Sequence, residues 1–341
     1  MANSTTTAKC ELGVVLEVIK DHLPFVTYCI ATPIYFVIGM FSRIVSLIVF
    51  CKEYKKEKGY AYQVFFFLID LIEVITVSIN MLTLNNLSGF RLPGASWFKS
   101  SYTLMWYSAR LATPLFQMFM TTTLLISVSM AMDRVFSLAK PFLYRNINHK
   151  LHQSVAMVCC LLVGVSTSIF DMFRYDVGQK GAMYEIVVNS IFVGTDAAFA
   201  LAMVRNVVRM IGNVALIIGN ITMVIYYRLN ANKTGTLDSN TQRELKKKAN
   251  QKSLVGLTVC QSIFVTANVT FDTVYYTLAV GVPSFTSCVG KAIGPMNGLT
   301  LEIAGTLEFF ALLVISKQFR EAAYAYLRCR KAGNTAVSTT N

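Results

Sequence analysis

A short run of charged residues closes the third long apolar segment of the chain. It begins with Asp133 and Arg134, and Pro141, Tyr144 and Arg145 follow within the next eleven residues. An arginine at the edge of a bilayer is costly unless a carboxylate pairs with it or a partner outside the membrane receives it. The run therefore predicts a charged switch at one end of a membrane helix. An ordinary helix end with mixed charges and a proline stop is the alternative.

The composition of the chain is typical of a membrane protein. Of its 341 residues, 54% are hydrophobic and only 14% are charged, whereas the charged fraction of soluble globular domains is nearer to ~25%. Segments of about 20 apolar residues are long enough to cross a bilayer core of ~30 Å. We expect seven, at 23–50, 61–84, 102–132, 152–173, 207–227, 253–280 and 292–315. Residues 1–22 are polar and predict no cleavable signal peptide.

The positions of Lys and Arg predict the orientation. The connections after the first, third and fifth apolar segments and the region after 315 together carry twenty Lys and Arg residues. The N-terminal region and the other connections carry seven. Basic loops are retained in the cytoplasm. We therefore expect an all-α membrane protein, a seven-transmembrane helix bundle with its N-terminus outside. The net charge of +13 then indicates a basic face toward anionic membrane lipid and protein partners, and no nucleic-acid partner.

Four regions follow from this topology. We expect an extracellular tail at 1–22, the transmembrane domain at 23–315, an amphipathic helix at 316–331 and a disordered cytoplasmic tail at 332–341. Residues 186–204 form either an outer loop or an extension of the fifth helix. We favour the loop, with a short hairpin as a lid, because Val, Ile and Phe suit strands.

Two segments carry a family resemblance. The run from Asp133 to Arg145 resembles the cytoplasmic end of helix 3 in rhodopsin-like G-protein-coupled receptors, where Asp-Arg-Tyr is followed by a Pro and a Tyr-Arg pair. Segment 316–331 resembles helix 8 of those receptors, including Phe319-Arg320 at its start and Cys329 near its end. The resemblance implies palmitoylation of Cys329. It also implies that a heterotrimeric G protein is contacted by Asp133, Arg134, Pro141, Tyr144, Arg145 and Lys248.

Other marks of that family are missing. The chain lacks the helix 4 Trp, the helix 5 Pro and the Cys-Trp-x-Pro of helix 6, where it reads Val259-Cys260-Gln261-Ser262. A chain that keeps Asp133-Arg134 and helix 8 but lacks these marks resembles the divergent serpentine chemosensory receptors of nematodes. That resemblance implies a multi-pass protein of the plasma membrane, in a sensory cilium.

Alignment with the family brings three charged residues into one neighbourhood. Arg43, Asp70 and Glu308 fall where the family often binds a sodium ion, and Thr123 faces them. A guanidinium between two carboxylates would satisfy all three charges in a medium where isolated ions are expensive. Arg43 is thus predicted to act as a built-in cation. Alternatively, Arg43 extends to the interface and Asp70 is protonated.

The predicted ligand cavity lies in the outer half of the bundle. Phe116 stands where aminergic receptors carry an Asp, so a biogenic amine is disfavoured as the ligand. Glu302 stands where opsins carry their retinal lysine, so a light-sensing function is disfavoured as well. Intramembrane acids are functional by default, whereas apolar members of the set can equally be packing residues. The candidate ligand-binding residues are Phe116, Gln117, Met120, Asn268, Asp272, Tyr276 and Glu302.

Modification sites are predicted on the outer side. Cys10 and Cys288 would both face the oxidising exterior, as a disulfide or as two free thiols. Asn3 and Asn86 begin glycosylation sequons.

The sequence as a whole predicts a G-protein-coupled receptor that binds an extracellular small molecule or peptide. The alternative is a seven-helix channel or transporter that uses the cluster of Arg43, Asp70 and Glu308. The chain has no His-Glu-x-x-His or Gly-x-Ser-x-Gly motif, so we expect no enzyme activity, no cofactor and no metal.

Overall fold

The computed structural model describes residues 30–56, 60–84, 99–193, 195–234, 242–281 and 289–327. Within these ranges the chain is almost wholly helical, and its one sheet has two strands. The long helices are α1 Thr32–Lys56, α2 Ala61–Leu84, α3 Tyr102–Ala139, α4 His149–Ser168, α5 Asp196–Thr234, α6 Gln242–Gly281 and α7 Val289–Ile315, followed by the shorter α8 Lys317–Leu327.

The outer surfaces of these helices are strongly apolar. Val37, Val158 and Val214 are all more than half exposed, which suits lipid tails and not water. Among the described residues, four stretches are long and apolar enough to cross a membrane: Pro33–Lys52, Tyr102–Ala139, His149–Phe173 and Asp196–Asn230. The structure thus supports the expectation of an all-α membrane protein.

The helices pack in a closed ring. Going around it, α1 packs on α2, α2 on α3, α3 on α5, α5 on α6, α6 on α7, and α7 again on α1. Helix α4 lies outside the ring against α3, and α6 also contacts α3 across the centre. Helix α3 therefore touches more of the other helices than any other described element.

Helix α3 contains one irregular turn. It is α-helical at Tyr102–Tyr107, π-helical at Ser108–Ala112 and α-helical again from Thr113. Pro114 has no N–H to donate and its ring crowds the preceding turn, so a wider π turn just before it relieves the clash. The helix ends at Lys140, and a short helix, Pro141–Arg145, follows.

A β-hairpin stands between α4 and α5. Strand β1, Tyr175–Lys180, pairs antiparallel with β2, Met183–Val188, and Gly181 supplies the positive φ of the turn. We call this side of the bundle the hairpin end and the opposite side, where α3 finishes, the Arg134 end.

The expectation for 186–204 is wrong in its bounds. A hairpin exists, but it lies at Tyr175–Val188, and α5 already begins at Asp196. The reason is a capping signal at the start of α5: the Thr195 hydroxyl accepts a hydrogen bond from the N–H of Ala198 at 3.2 Å, and Asp196 in the first turn suits the positive end of the helix dipole.

Helix α8 falls inside the predicted segment 316–331. Ser316 caps its start by accepting from the Phe319 N–H at 3.2 Å. Phe319 is buried against Phe50 of α1, with ring centroids 5.4 Å apart, and Arg320 donates to the carbonyl of Leu313 at the end of α7 at 3.0 Å. These contacts hold α8 against α1 and α7.

Candidate functional site

The first buried ion pair joins α1 and α2. Nε of Arg43 donates to Oδ2 of Asp70 at 2.7 Å, and both side chains are almost completely enclosed. An arginine that extended to the interface would leave its guanidinium exposed, whereas Arg43 is only 1% exposed. The structure therefore pairs Arg43 with Asp70, as the interpretation of Arg43 as a built-in cation expects.

Helix α7 closes over the Arg43 guanidinium. A Cβ atom at Gly305 would overlap it, so glycine is required for this approach. One turn further on, Glu308 is buried and interacts electrostatically with both Arg43 and Asp70. Arg43 therefore lies among groups from α1, α2 and α7, as the sequence predicted.

A small cavity of about 20 Å³ adjoins this pair. Its lining includes Asp70, Thr123 and Glu308 from the predicted cluster, together with Asn268 of α6 and Glu73 of α2. The Oε1 atoms of Glu73 and Glu308 are buried without a hydrogen-bond partner among the described residues. A cavity of this size holds about one water molecule.

Glu73 was missed by the sequence interpretation. It lies three residues after Asp70, so both project from one face of α2. Its carboxylate interacts electrostatically with Arg43 and Asp70 on one side and with Arg209 and Asp272 on the other. Glu73 is thus within electrostatic range of both buried ion pairs, and an Asp-x-x-Glu spacing inside an apolar segment was the signal for it.

The second buried ion pair joins α5 and α6. Nη1 of Arg209 lies 2.5 Å from Oδ2 of Asp272, and neither side chain is exposed at all. Arg209 also donates from Nε to the Thr121 hydroxyl at 3.0 Å and from Nη2 to the Gln117 carbonyl at 2.9 Å. Three helices, α3, α5 and α6, are therefore bonded through one guanidinium.

The predicted ligand-binding residues separate into two groups. Phe116, Gln117 and Met120 are buried in the packing of α3. Asn268 accepts a hydrogen bond from Thr300 at 3.2 Å and lines the small cavity, while Asp272 is occupied by Arg209. Tyr276 and Glu302 lie on α6 and α7, with side chains outside those that the structure describes.

A third set of ion pairs ties the hairpin end together. Arg110, in the π turn, donates to the carbonyl of Met172 at 2.8 Å and lies 3.0 Å from Asp176 of β1. Arg205 of α5 is buried and pairs with Asp171. Arg205 and Arg209 stand four residues apart on one face of α5, a spacing that the sequence interpretation did not use.

The Arg134 end has its own hydrogen bond. Tyr144, in the short helix after α3, donates to Oδ2 of Asp133 at 3.0 Å. Burial and the Asp133 carboxylate raise the pKa of Tyr144 above its usual value, so this hydroxyl remains a donor even in alkaline solution. Asp133 and Arg134 are both buried, and nearby Asn230 of α5 donates to the Leu138 carbonyl at 2.9 Å.

The remaining predicted residues are either exposed or outside the part of the chain that the structure describes. Pro141 and Arg145 are exposed on the short helix. Lys248 lies in the first turns of α6, but its side chain is outside those described. The modification candidates all lie outside the described residues, namely Asn3, Cys10, Asn86, Cys288 and Cys329.

Comparison with known proteins adds no relative. No protein-family model matches the chain, and no curated protein matches it. The described residues therefore define an all-α protein with helices long and apolar enough to cross a membrane and with buried ion pairs between its helices, Arg43 with Asp70 and Arg209 with Asp272.

Proposed function

We propose that the chain is a divergent G-protein-coupled receptor of the plasma membrane. In this proposal α1 to α7 all span the bilayer with the N-terminus outside, and the Arg134 end faces the cytoplasm. The observation that carries the proposal is the Tyr144 hydrogen bond to Asp133. It fixes the short helix Pro141–Arg145 to the end of α3 and leaves Arg134 buried beside Asp133.

The arrangement suits a switch that a cytoplasmic partner can read. Arg134 is only 8% exposed, so a G protein would reach it after a rearrangement of this end. A partner that binds one conformation more tightly shifts the population toward it. The basic residues of this face, including Arg145 and Lys248, would supply charge for the encounter.

The buried ion pairs support a route from the hairpin end to the Arg134 end. Arg209 bonds α5 to α3 and α6, and Glu73 is within electrostatic range of both that pair and the pair formed by Arg43. A ligand that alters Arg209 or Asp272 would change how α6 packs on α3 and α5. Helix α3, which Arg209 contacts, continues to Arg134, and a coupling mechanism would need this helix to carry the change to the Arg134 end.

The proposed ligand is a chemosensory small molecule or a peptide that enters at the hairpin end. Because Asp272 is occupied by Arg209, a ligand would have to compete for one of them or bind nearer to the hairpin. The expectation of a sensory cilium follows from the family resemblance.

A G-protein activation assay in cells tests the proposal. The chain would be challenged with pools of volatile, small polar and peptide compounds, beside Arg134→Ala and the matched control Lys150→Ala, which removes an exposed charge at the start of α4. A response that disappears only in Arg134→Ala, at equal surface expression, supports coupling. A response that survives Arg134→Ala contradicts the assigned role of this residue.

One observation favours a second function, a channel or transporter. Three buried acids, Asp70, Glu73 and Glu308, line one cavity, as in proton or ion pathways. A current across the membrane that persists without G proteins and is lost in Glu308→Gln would favour this alternative.

A further inference from the structure

A second cavity lies on the outer surface of α6, close to the Arg134 end. Its volume is about 740 Å³, within the range of ~300–1,000 Å³ typical of ligand sites. Its lining comes from the last turns of α5, the outward face of α6 and the junction of α7 with α8. We call it the α6 groove. Its apolar members include Val224, Val259, Ile263 and Ile315.

The α6 groove is open toward the region that lipid tails would occupy. Ile263 is 61% exposed and Ile315 is 47% exposed, although both are aliphatic. Aliphatic side chains on an open groove of a membrane helix are in contact with acyl chains, because no water reaches them there. The occupant of this groove is thus expected to be apolar over most of its length.

One end of the groove is cationic. Arg228 of α5 and Lys317, the first residue of α8, are the two charged residues that line it. Lys317 is also 3.7 Å from Glu321. That pair is exposed on both sides, so it is worth little and leaves the lysine available.

The depth of this cationic end matches a lipid headgroup. Helix α8 is amphipathic, with Phe319 and Ala323 buried and Lys317 and Glu321 exposed, and a helix of this kind lies in the membrane interface. Its first residue is therefore at the level of the phosphates. Basic pockets between membrane helices on the cytoplasmic side select anionic headgroups.

We propose that the α6 groove binds one anionic phospholipid, with its phosphate between Arg228 and Lys317 and an acyl chain along Val259 and Ile263. The placement of α6 in the bilayer, and with it the leaflet of this lipid, rests on the proposed receptor topology, but the groove and its two cations do not. Binding in the groove would hold α5, α6 and the start of α8 together. It would thereby link the membrane composition to the movement of α6.

Native mass spectrometry of the purified full-length protein tests the proposal. The protein is equilibrated with an equimolar mixture of phosphatidylserine and phosphatidylcholine in detergent, and the retained lipids are counted. Phosphatidylserine should be retained in preference. In the double variant Arg228→Gln/Lys317→Gln that preference should fall by roughly 25-fold, since each of the two basic residues near the surface contributes about fivefold.

A matched control separates the groove from general surface charge. Lys140→Gln/Lys150→Gln removes two exposed basic residues from the same end of the bundle, outside the groove, and should keep the preference. Ile263→Trp obstructs the groove without changing its charge and should reduce retention of phosphatidylserine. Equal losses in the two double variants, or no preference in the parent, would overturn the proposal.

A competition experiment with the soluble headgroup glycerophosphoserine completes the test. It should fail to displace the retained phosphatidylserine at equal concentration, because it lacks the acyl chains that fill the groove. Displacement at that concentration would mean a phosphate site alone and would overturn the lipid assignment. The measurement needs no G protein, so its failure and a failure of receptor coupling are distinguishable.

Discussion

Arg209 and Asp272 form an ion pair of 2.5 Å with no solvent exposure on either side. The two residues are on neighbouring helices, and Arg209 also bonds α3 through Thr121 and the Gln117 carbonyl. Taking two charges out of water is expensive, and the cost is recovered only when the geometry and the additional hydrogen bonds are good. The pair therefore determines how α3, α5 and α6 fit together more than how stable they are.

Removing one partner of this pair should be worse than removing both. Arg209→Met leaves Asp272 buried without its cation, at a cost of about 3–5 kcal/mol in the free energy of unfolding. The double variant Arg209→Met/Asp272→Leu should recover most of that loss. Thermal unfolding of the solubilised protein measures both, with Met210→Leu on the exposed side of the same turn as control. A double variant as unstable as Arg209→Met would contradict the expectation.

The second prediction concerns an asymmetry at Arg43. Arg43→Gln leaves Asp70, Glu73 and Glu308 around a cavity whose described lining contains no cation, whereas Asp70→Asn leaves Arg43 with the two acids Glu73 and Glu308. Like charges that share a buried site destabilise one another. We therefore expect Arg43→Gln to lower the unfolding temperature more than Asp70→Asn does, and Arg43→Gln/Asp70→Asn to lie above Arg43→Gln. Equal effects of the two single substitutions would show that Arg43 serves Asp70 alone.

Tyr144→Phe isolates the hydrogen bond at the Arg134 end. It removes the donor to Asp133 and leaves a buried carboxylate oxygen without that bond, at a cost of about 1.5–3 kcal/mol. In the proposed receptor this frees the short helix from α3, so ligand-independent G-protein activation should rise at equal surface expression. Tyr324→Phe, at an exposed site on α8, should change neither quantity. Unchanged basal activity in Tyr144→Phe would mean that this bond does not restrain Arg134.

The hairpin end should keep its contact with α3 well into the acid range. The pKa of Asp176 lies below its ordinary value, first because the Val177 N–H donates to it and second because of Arg110. A carboxylate with a depressed pKa stabilises the folded state above its unfolded pKa, and this contribution is lost as the pH falls through the lower folded value.

The expected pH profile follows directly. The difference in unfolding temperature between the parent and Asp176→Asn should be constant from about pH 8 to 5 and shrink only below ~4. The corresponding difference in the free energy of unfolding should stay within ~1 kcal/mol, because Asp176 is 47% exposed and solvent screens its pair with Arg110. A difference that already shrinks between about pH 7 and 5 would rule out a depressed pKa.

Periodicity and charge in the sequence predict the long helices well. The expected segment at 61–84 coincides with α2, and the other six lie mainly within the observed helices. The ends are less predictable: α5 begins eleven residues before the apolar segment 207–227 does, because Thr195 caps it there and the buried Arg205 interrupts the apolar pattern. The acidic partner that neutralises such a buried arginine cannot be predicted from a single sequence.

The candidate site was likewise predictable from the sequence only in part. The pairing of Arg43 with Asp70 and the presence of Thr123 beside them were predictable, because the family alignment placed them together. Arg209 was not predictable as the partner of Asp272, since the two are far apart in the chain and only the packing of α5 on α6 joins them.

The π turn at Ser108–Ala112 changes how positions along α3 correspond in space. A single π turn inserts one residue into the helical repeat, which rotates everything before it by about 100° relative to an unbroken α-helix. Arg110 lies inside this turn and contacts Met172 and Asp176 from there. Deleting one residue of the turn would re-register the outer part of α3 against the hairpin, while the Asp133–Tyr144 bond two dozen residues further on would keep its geometry.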